Sequence, residues 1–153
     1  MNVEFTLNGR KVQASVEADD SLYTVLRSLG MYSVKCGCET TNCGLCTVHM
    51  DGKAVLSCSV PAVRAAGHEI TTLEGLQEEA KRLGECLAGE GAEQCGFCAP
   101  GMMMNVFALA KEKPHATADE IDAFLAGNLC RCSGYVSQRR AIQKYLRMME
   151  VQA

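Results

Sequence analysis

No apolar run in this sequence approaches the roughly 20 residues that span a bilayer, so no membrane segment is expected. Nor is there an excess of positive charge. Fifteen Lys and Arg stand against eighteen Asp and Glu, a formal net charge of −3, which argues against general nucleic-acid binding. The opening residues, MNVEFTLNGRKV, carry no basic stretch leading into a long apolar region. No secretory signal is expected there, and a cytoplasmic address is. G-x-G-x-x-G is missing, which counts against dinucleotide binding on this chain. Internal repeats and low-complexity segments are missing too. The few histidines, His49, His68 and His115, fall in separate strand, loop and linker contexts. Each reads as an ordinary surface residue rather than a ligand or base.

Against these absences stand ten cysteines: Cys36, Cys38, Cys43, Cys46, Cys58, Cys86, Cys95, Cys98, Cys130 and Cys132. A cytosolic setting keeps thiols reduced, so dense cysteine there points to metal rather than to disulfides. A disulfide framework would call for a secreted chain of small loops, whereas much of this chain is patterned as helix. With 153 residues, 48% of them apolar, a packed core is expected in one domain or two small ones.

Residues 3–7 and 11–16 alternate as strands about Asn8-Gly9, a strong two-residue hairpin signal. A helix follows, capped by Asp20 or Ser21, with Leu22, Val25, Leu26 and Leu29 on one face and Gly30 at its end. After a cysteine loop, CTVHM, Asp51-Gly52 and KAVLSC read as a second hairpin. From about residue 77 the pattern turns helical. Leu83, Cys86 and Leu87 share one face. Pro100 opens a helix with Met103, Phe107 and Ala110 on one side. Thr117 and Glu120 form a capping box, and Ile142, Tyr145, Leu146 and Met149 face inward on the last helix. The chain therefore divides near residue 76 into an α+β unit, 1–76, and an all-helical unit, 77–153.

Each unit owns a cysteine cluster. In the first, Cys38, Cys43 and Cys46 follow C-x4-C-x2-C, with eleven residues between Cys46 and Cys58. That is the plant-type spacing for a 2Fe–2S cluster. Two irons need thiolates from several directions; a curling loop supplies three and the neighbouring hairpin the fourth. Glycines at 37 and 44 let backbone N–H groups approach sulfur. Structural zinc, the rival reading, favours paired C-x2-4-C hooks, of which this set has one. In the second, Cys95 and Cys98 form C-x2-C, and Cys130 and Cys132 form C-x-C in a Gly-bounded loop. Alone that set suits zinc as well as iron. Beside a plant-type site it favours iron, because two one-electron centres make a relay. Cys36 could compete with Cys38 as first ligand, though the x4 spacing favours Cys38. Cys86 reads as a small buried residue. The Met102–Met104 run reads as core filler. Arg139, Arg140, Lys144 and Arg147 read as a solvated or docking helix face.

VKCGCETTNCGLCTV, EQCGFCAPG and GNLCRCSGY, in this order, resemble the small iron–sulfur subunit of the xanthine dehydrogenase family of molybdenum hydroxylases. The likeness runs from the first strand to the helix ending near residue 149. It implies an N-terminal ferredoxin-like β-grasp domain followed by a four-helix bundle. It implies one 2Fe–2S cluster on Cys38, Cys43, Cys46 and Cys58, nearer a flavin, and one on Cys95, Cys98, Cys130 and Cys132, nearer molybdenum. Gln94 would touch the pterin of the molybdenum cofactor. Partners would be a large molybdenum subunit and a medium FAD subunit. The chain would relay single electrons from molybdenum to FAD or another acceptor, without a catalytic site of its own. A freestanding ferredoxin-like carrier and a zinc-stabilised interaction module are the rivals. Asn42, Leu45, Ala99 and Ser133 depart from the residues common in the family, and none of these departures removes a ligand.

Overall fold

Asn8 and Gly9 take φ of 49° and 77°, the two left-handed residues that a type I′ turn requires. They join β1 (Asn2–Leu7) to β2 (Arg10–Ser15), with Leu7 paired to Arg10. Asp51 and Gly52, at 50° and 78°, repeat the device between β3 (Thr47–Met50) and β4 (Lys53–Leu56). In this computed structural model, which describes residues 1–152, β5 (Glu69–Thr71) lies between the two hairpins. It runs parallel to β1 and antiparallel to β3, giving the order β2-β1-β5-β3-β4.

α1 (Leu22–Ser28) packs on this mixed sheet. Ser21 caps it, accepting from the Thr24 N–H at 3.2 Å. Leu22, Val25 and Leu26 bury against Val3, Phe5, Val48 and Ile70. A sheet packed on one helix is the α+β plan that the alternating segments and turn pairs foretell, and it is the ferredoxin-like β-grasp that the family resemblance implies.

The second unit holds α2 (Gln77–Gly89), α3 (Ala99–Glu112), α4 (Ala118–Leu125) and α5 (Val136–Gln152). Both halves of the Thr117–Glu120 capping box are formed. Its core is separate: Leu83, Leu87, Met104, Phe107, Ile121 and Ile142 meet there, and the Tyr145 ring lies 6.1 Å from that of Phe107. Cys86 is buried in this core, 3.6 Å from the Met148 sulfur. None of the described helices is long and apolar enough to cross a membrane.

α3 buries Met103 and Phe107 on the expected side, with Ala110 packed against the same core, and Met102, Met104, Val106, Ala108 and Leu109 are buried as well. It lies between the other helices and β3–β4, so it has almost no solvent face. One expectation is corrected: His49 is not a surface residue. It is 2% exposed, on the sheet face that α3 covers, and its Nε2–H donates to the Met104 carbonyl at 2.7 Å. His68 and His115 are at the surface, paired with Asp51 and Glu150 at 2.6 Å each.

Candidate metal centres

The first cysteine group is set by the hairpin. Because β3 pairs with β4 in the register Thr47–Leu56, Ser57 falls opposite Cys46. The Ser57 N–H and hydroxyl both donate to the Cys46 carbonyl, at 3.2 and 2.8 Å. A short 3-10 turn, Ser57–Ser59, then carries Cys58 back against Cys46. The loop before β3 is closed by Thr47, whose N–H and hydroxyl reach the Gly44 carbonyl at 3.3 and 2.7 Å, and by Lys35 N–H on the Leu45 carbonyl at 3.2 Å. Within it the Cys38 thiol meets that of Cys43. The four thiols thus stand as two neighbouring pairs, Cys38 with Cys43 and Cys46 with Cys58.

Their electrostatics differ. Backbone N–H groups of Asn42 and Thr40, with help from Cys43, bring the half-buried Cys38 thiol down to about 6. Burial pushes Cys43 up, and burial with the Cys46 contact pushes Cys58 up to about 12. Bare thiolates are disfavoured at those buried positions, so a bound cation is what would draw the protons off. Cys36 is exposed and turns its thiol onto the Cys38 carbonyl at 2.9 Å.

The second group joins two loops. Cys95 and Cys98 lie between α2 and α3, with Cys98 at the N-cap of α3. Cys130 and Cys132 lie between α4 and α5, in a turn where Gly134 and Tyr135 take φ of 70° and 69°. The Tyr135 hydroxyl accepts from the Cys130 N–H at 2.8 Å. Ser133 gives its N–H and hydroxyl to the Cys130 sulfur at 3.4 and 3.2 Å. Burial raises Cys130, but those Ser133 bonds outweigh it and hold the thiol at about 7. The sulfurs of Cys95 and Cys132 lie 3.6 Å apart, and Cys98 neighbours Cys130. All four line one small cavity, with Gln94 at its exposed rim and Gln138 at its buried wall. Pairing recurs, and among the described residues no three metal-ligating side chains converge as a single ion would need. Two pairs per group suit a core of two irons, each taking two thiolates, better than one tetrahedral zinc.

Ser57, Tyr135 and Gln138 do not figure among the residues expected from sequence. Ser57 and Tyr135 act only through the fold. Gln138 has a signal: it lies four residues before Ile142 and seven before Tyr145, an amide on an apolar helix face.

Two known domain families match this chain. The 2Fe-2S iron-sulfur cluster binding domain matches residues 5–88 and the 2Fe-2S binding domain matches residues 72–143. A tandem of iron–sulfur domains is thus the class that fold and cysteine pairs define. Over 140 residues the chain is 44% identical to the xanthine dehydrogenase iron-sulfur-binding subunit of Escherichia coli O157:H7, covering 88% of this chain and 87% of that one. It is 38% identical over 146 residues to the nicotinate dehydrogenase small FeS subunit of Eubacterium barkeri, covering 94% and 93%. Among solved structures, quinoline 2-oxidoreductase from Pseudomonas putida 86 superposes with a TM-score of 0.92 at 35% identity, covering 100% of this chain and 97% of the matched one. Aldehyde oxidoreductase from Desulfovibrio gigas gives 0.90 at 31%, covering all of this chain and 18% of that one. The chain belongs to the small iron–sulfur subunits of the xanthine dehydrogenase family of molybdenum hydroxylases. As such it is an electron-transfer component of a multi-subunit oxidoreductase, with a large molybdenum subunit as partner.

Proposed function

We propose that Cys38, Cys43, Cys46 and Cys58 hold one 2Fe–2S cluster in a ferredoxin-like domain, residues 1–76. Cys95, Cys98, Cys130 and Cys132 hold a second in a helical domain, residues 77–153. The observation that carries this reading is the pairing of thiols in both groups, seen most directly in the 3.6 Å approach of the Cys95 and Cys132 sulfurs. Clusters bound there would pass electrons singly from a molybdenum site to FAD or another acceptor. The chain's own residues position the sulfurs and set the charge around them. Ser57 holds Cys58 in place, Tyr135 fixes the Cys130 backbone, and Ser133 donates to the Cys130 sulfur.

Gln94 would meet the pterin of the molybdenum cofactor on the large subunit. Its setting supports this: the residue is exposed beside Cys95, and Phe97, Leu129 and Val136 leave about half of their side-chain surface open around the same loops. Large apolar side chains left open around a redox site suit a protein interface. A medium FAD subunit and a cytoplasmic setting complete the proposal. Metal, sulfide and cofactor analysis of the complex isolated without oxygen tests it. Two irons and two sulfides per cysteine group are expected, with molybdenum and FAD in the partners. A colourless complex holding zinc would overturn it, since only ferric–sulfide charge transfer gives a red-brown solution.

A further inference from the structure

Gln138 lies in the first turn of α5 and is 3% exposed. Its helix-face neighbours Ile142 and Tyr145 are buried in the apolar core, and Met102 and Leu125 line a second, adjoining pocket with it. An apolar residue would fill this place without desolvating an amide. Burying a primary amide costs free energy unless its N–H groups find an acceptor. The acceptor here is sulfur: Gln138 Nε2 lies 3.8 Å from Cys98 Sγ, within reach of so large an atom.

We propose that Gln138 sets the reduction potential of the helical-domain cluster by donating this N–H to the Cys98 sulfur. The inference rests on Cys98 being a cluster ligand. Four thiolates, two sulfides and two ferric ions carry a formal charge of −2, and uptake of one electron makes it −3 with no bond made or broken. A fixed donor beside one sulfur stabilises the more negative state, so it raises the potential. Cys98 is a sulfur where this matters, because it sits half-buried at the N-cap of α3 and Gln138 reaches it from the buried wall of the cavity. Gln138 lines the cavity of the helical-domain cysteines and not the ferredoxin-like loop. The effect of Gln138 is therefore confined to one of the two centres and alters the driving force between them.

The test is redox titration of the assembled complex, followed by electron paramagnetic resonance, for wild type and Gln138→Met. The variant keeps the bulk and loses the donor. At a fixed ambient potential, the reduced-to-oxidised ratio of the helical-domain cluster is expected to fall about tenfold, or ~59 mV for one electron. The ferredoxin-like cluster keeps its ratio. The shift that heavy water induces in the iron–cysteine stretching bands of the helical-domain cluster is reduced in the same variant. Unchanged ratios at both centres, or equal changes at both, overturn the inference. Should Gln138→Met fail to retain its cluster, Gln138→Asn carries the same test, because it withdraws the amide by one methylene. Wild-type complex lacking a second cluster signal fails the ligand assignment itself, before any variant is compared.

Discussion

The backbone carbonyl of Cys43 accepts a hydrogen bond from the backbone N–H of Leu129 at 2.9 Å. Cys43 belongs to the first cysteine group, and Leu129 directly precedes Cys130 of the second. The bond is reinforced on both sides. Asn128 donates its amide to the Gly44 carbonyl at 3.3 Å and is itself held by Asn105 at 2.7 Å. Lys35 reaches the Phe97 carbonyl at 3.4 Å and lies 4.8 Å from the centre of that ring. The loop of the first group and the two loops of the second are thus one hydrogen-bonded seam rather than neighbours across a flexible joint.

Gly101, in the first turn of α3, shows how tight the seam is. A Cβ there would fall against the Gly44 carbonyl oxygen and 2.9 Å from Leu45 Cα, both of them backbone atoms with little room to move. Gly101→Ala is expected to cost about 1–3 kcal/mol, as overpacking does. Thermal unfolding of the loaded protein should show a midpoint lower by several degrees. An unchanged midpoint would mean that the loops are free to part.

Because the seam uses the Cys43 backbone and not its side chain, Cys43→Ser should leave it intact. The expected outcome is loss of the ferredoxin-like cluster signal with the helical-domain signal retained, read by visible circular dichroism and electron paramagnetic resonance. Loss of both signals would show that the two sites are not independent, and loss of neither that Cys43 is not a ligand.

Much of this is legible in the sequence because it is local. Asn8-Gly9 and Asp51-Gly52 announce their turns through the φ values they alone adopt readily, and Thr117 with Glu120 announces a helix start. The cysteine spacings carry the loops with them. What escapes is what depends on the packing of one unit on the other. α3 shows an apolar stripe in its periodicity, yet the sheet takes up a further face that no helical period reveals. His49 alternates with apolar residues in a strand that could have faced water; only the arrival of α3 buries it. Leu129 contributes to the seam through its N–H, and a backbone group leaves no trace in residue type.

Glu74 ties the segment before the first cysteine loop to the junction between the units. Its carboxylate accepts from the Ser33 N–H at 2.8 Å and from the Ser33 and Thr72 hydroxyls at 2.6 Å each. Burial pulls this carboxyl upward, but those bonds outweigh it and hold it below the usual value of 4.5. A carboxyl lowered in the folded state adds stability that is present above the unfolded value and lost as pH falls through the folded one. Glu74→Gln is expected to cost about 1.5–3 kcal/mol at neutral pH, typical for hydrogen bonds to a charged group. Its stability should also fall less than that of wild type below pH ~4.5. Urea unfolding at several pH values measures both; parallel pH profiles would remove Glu74 from the account.

His49 has the opposite chemistry and the same direction of pH dependence. Its Nε2–H is committed to the Met104 carbonyl, so the neutral ring carries no proton on Nδ1. Burial lowers its pKa from 6.5; the Met104 carbonyl opposes this and Lys111 adds to it, with a net downward shift. The unfolded chain therefore binds a proton that the folded chain refuses. Stability is full above the unfolded value and is lost as pH falls through the window between the unfolded and folded values. The slope reaches at most ~1.4 kcal/mol per pH unit, the worth of one proton. His49→Gln keeps an N–H donor in the strand and removes the titration. Denaturation of the loaded protein between pH 7 and about pH 5 should show wild type losing stability toward acid while the variant holds a flatter profile. Matching profiles would mean that the imidazole accepts its proton in place, and that the contact between β3 and α3 opens to let it.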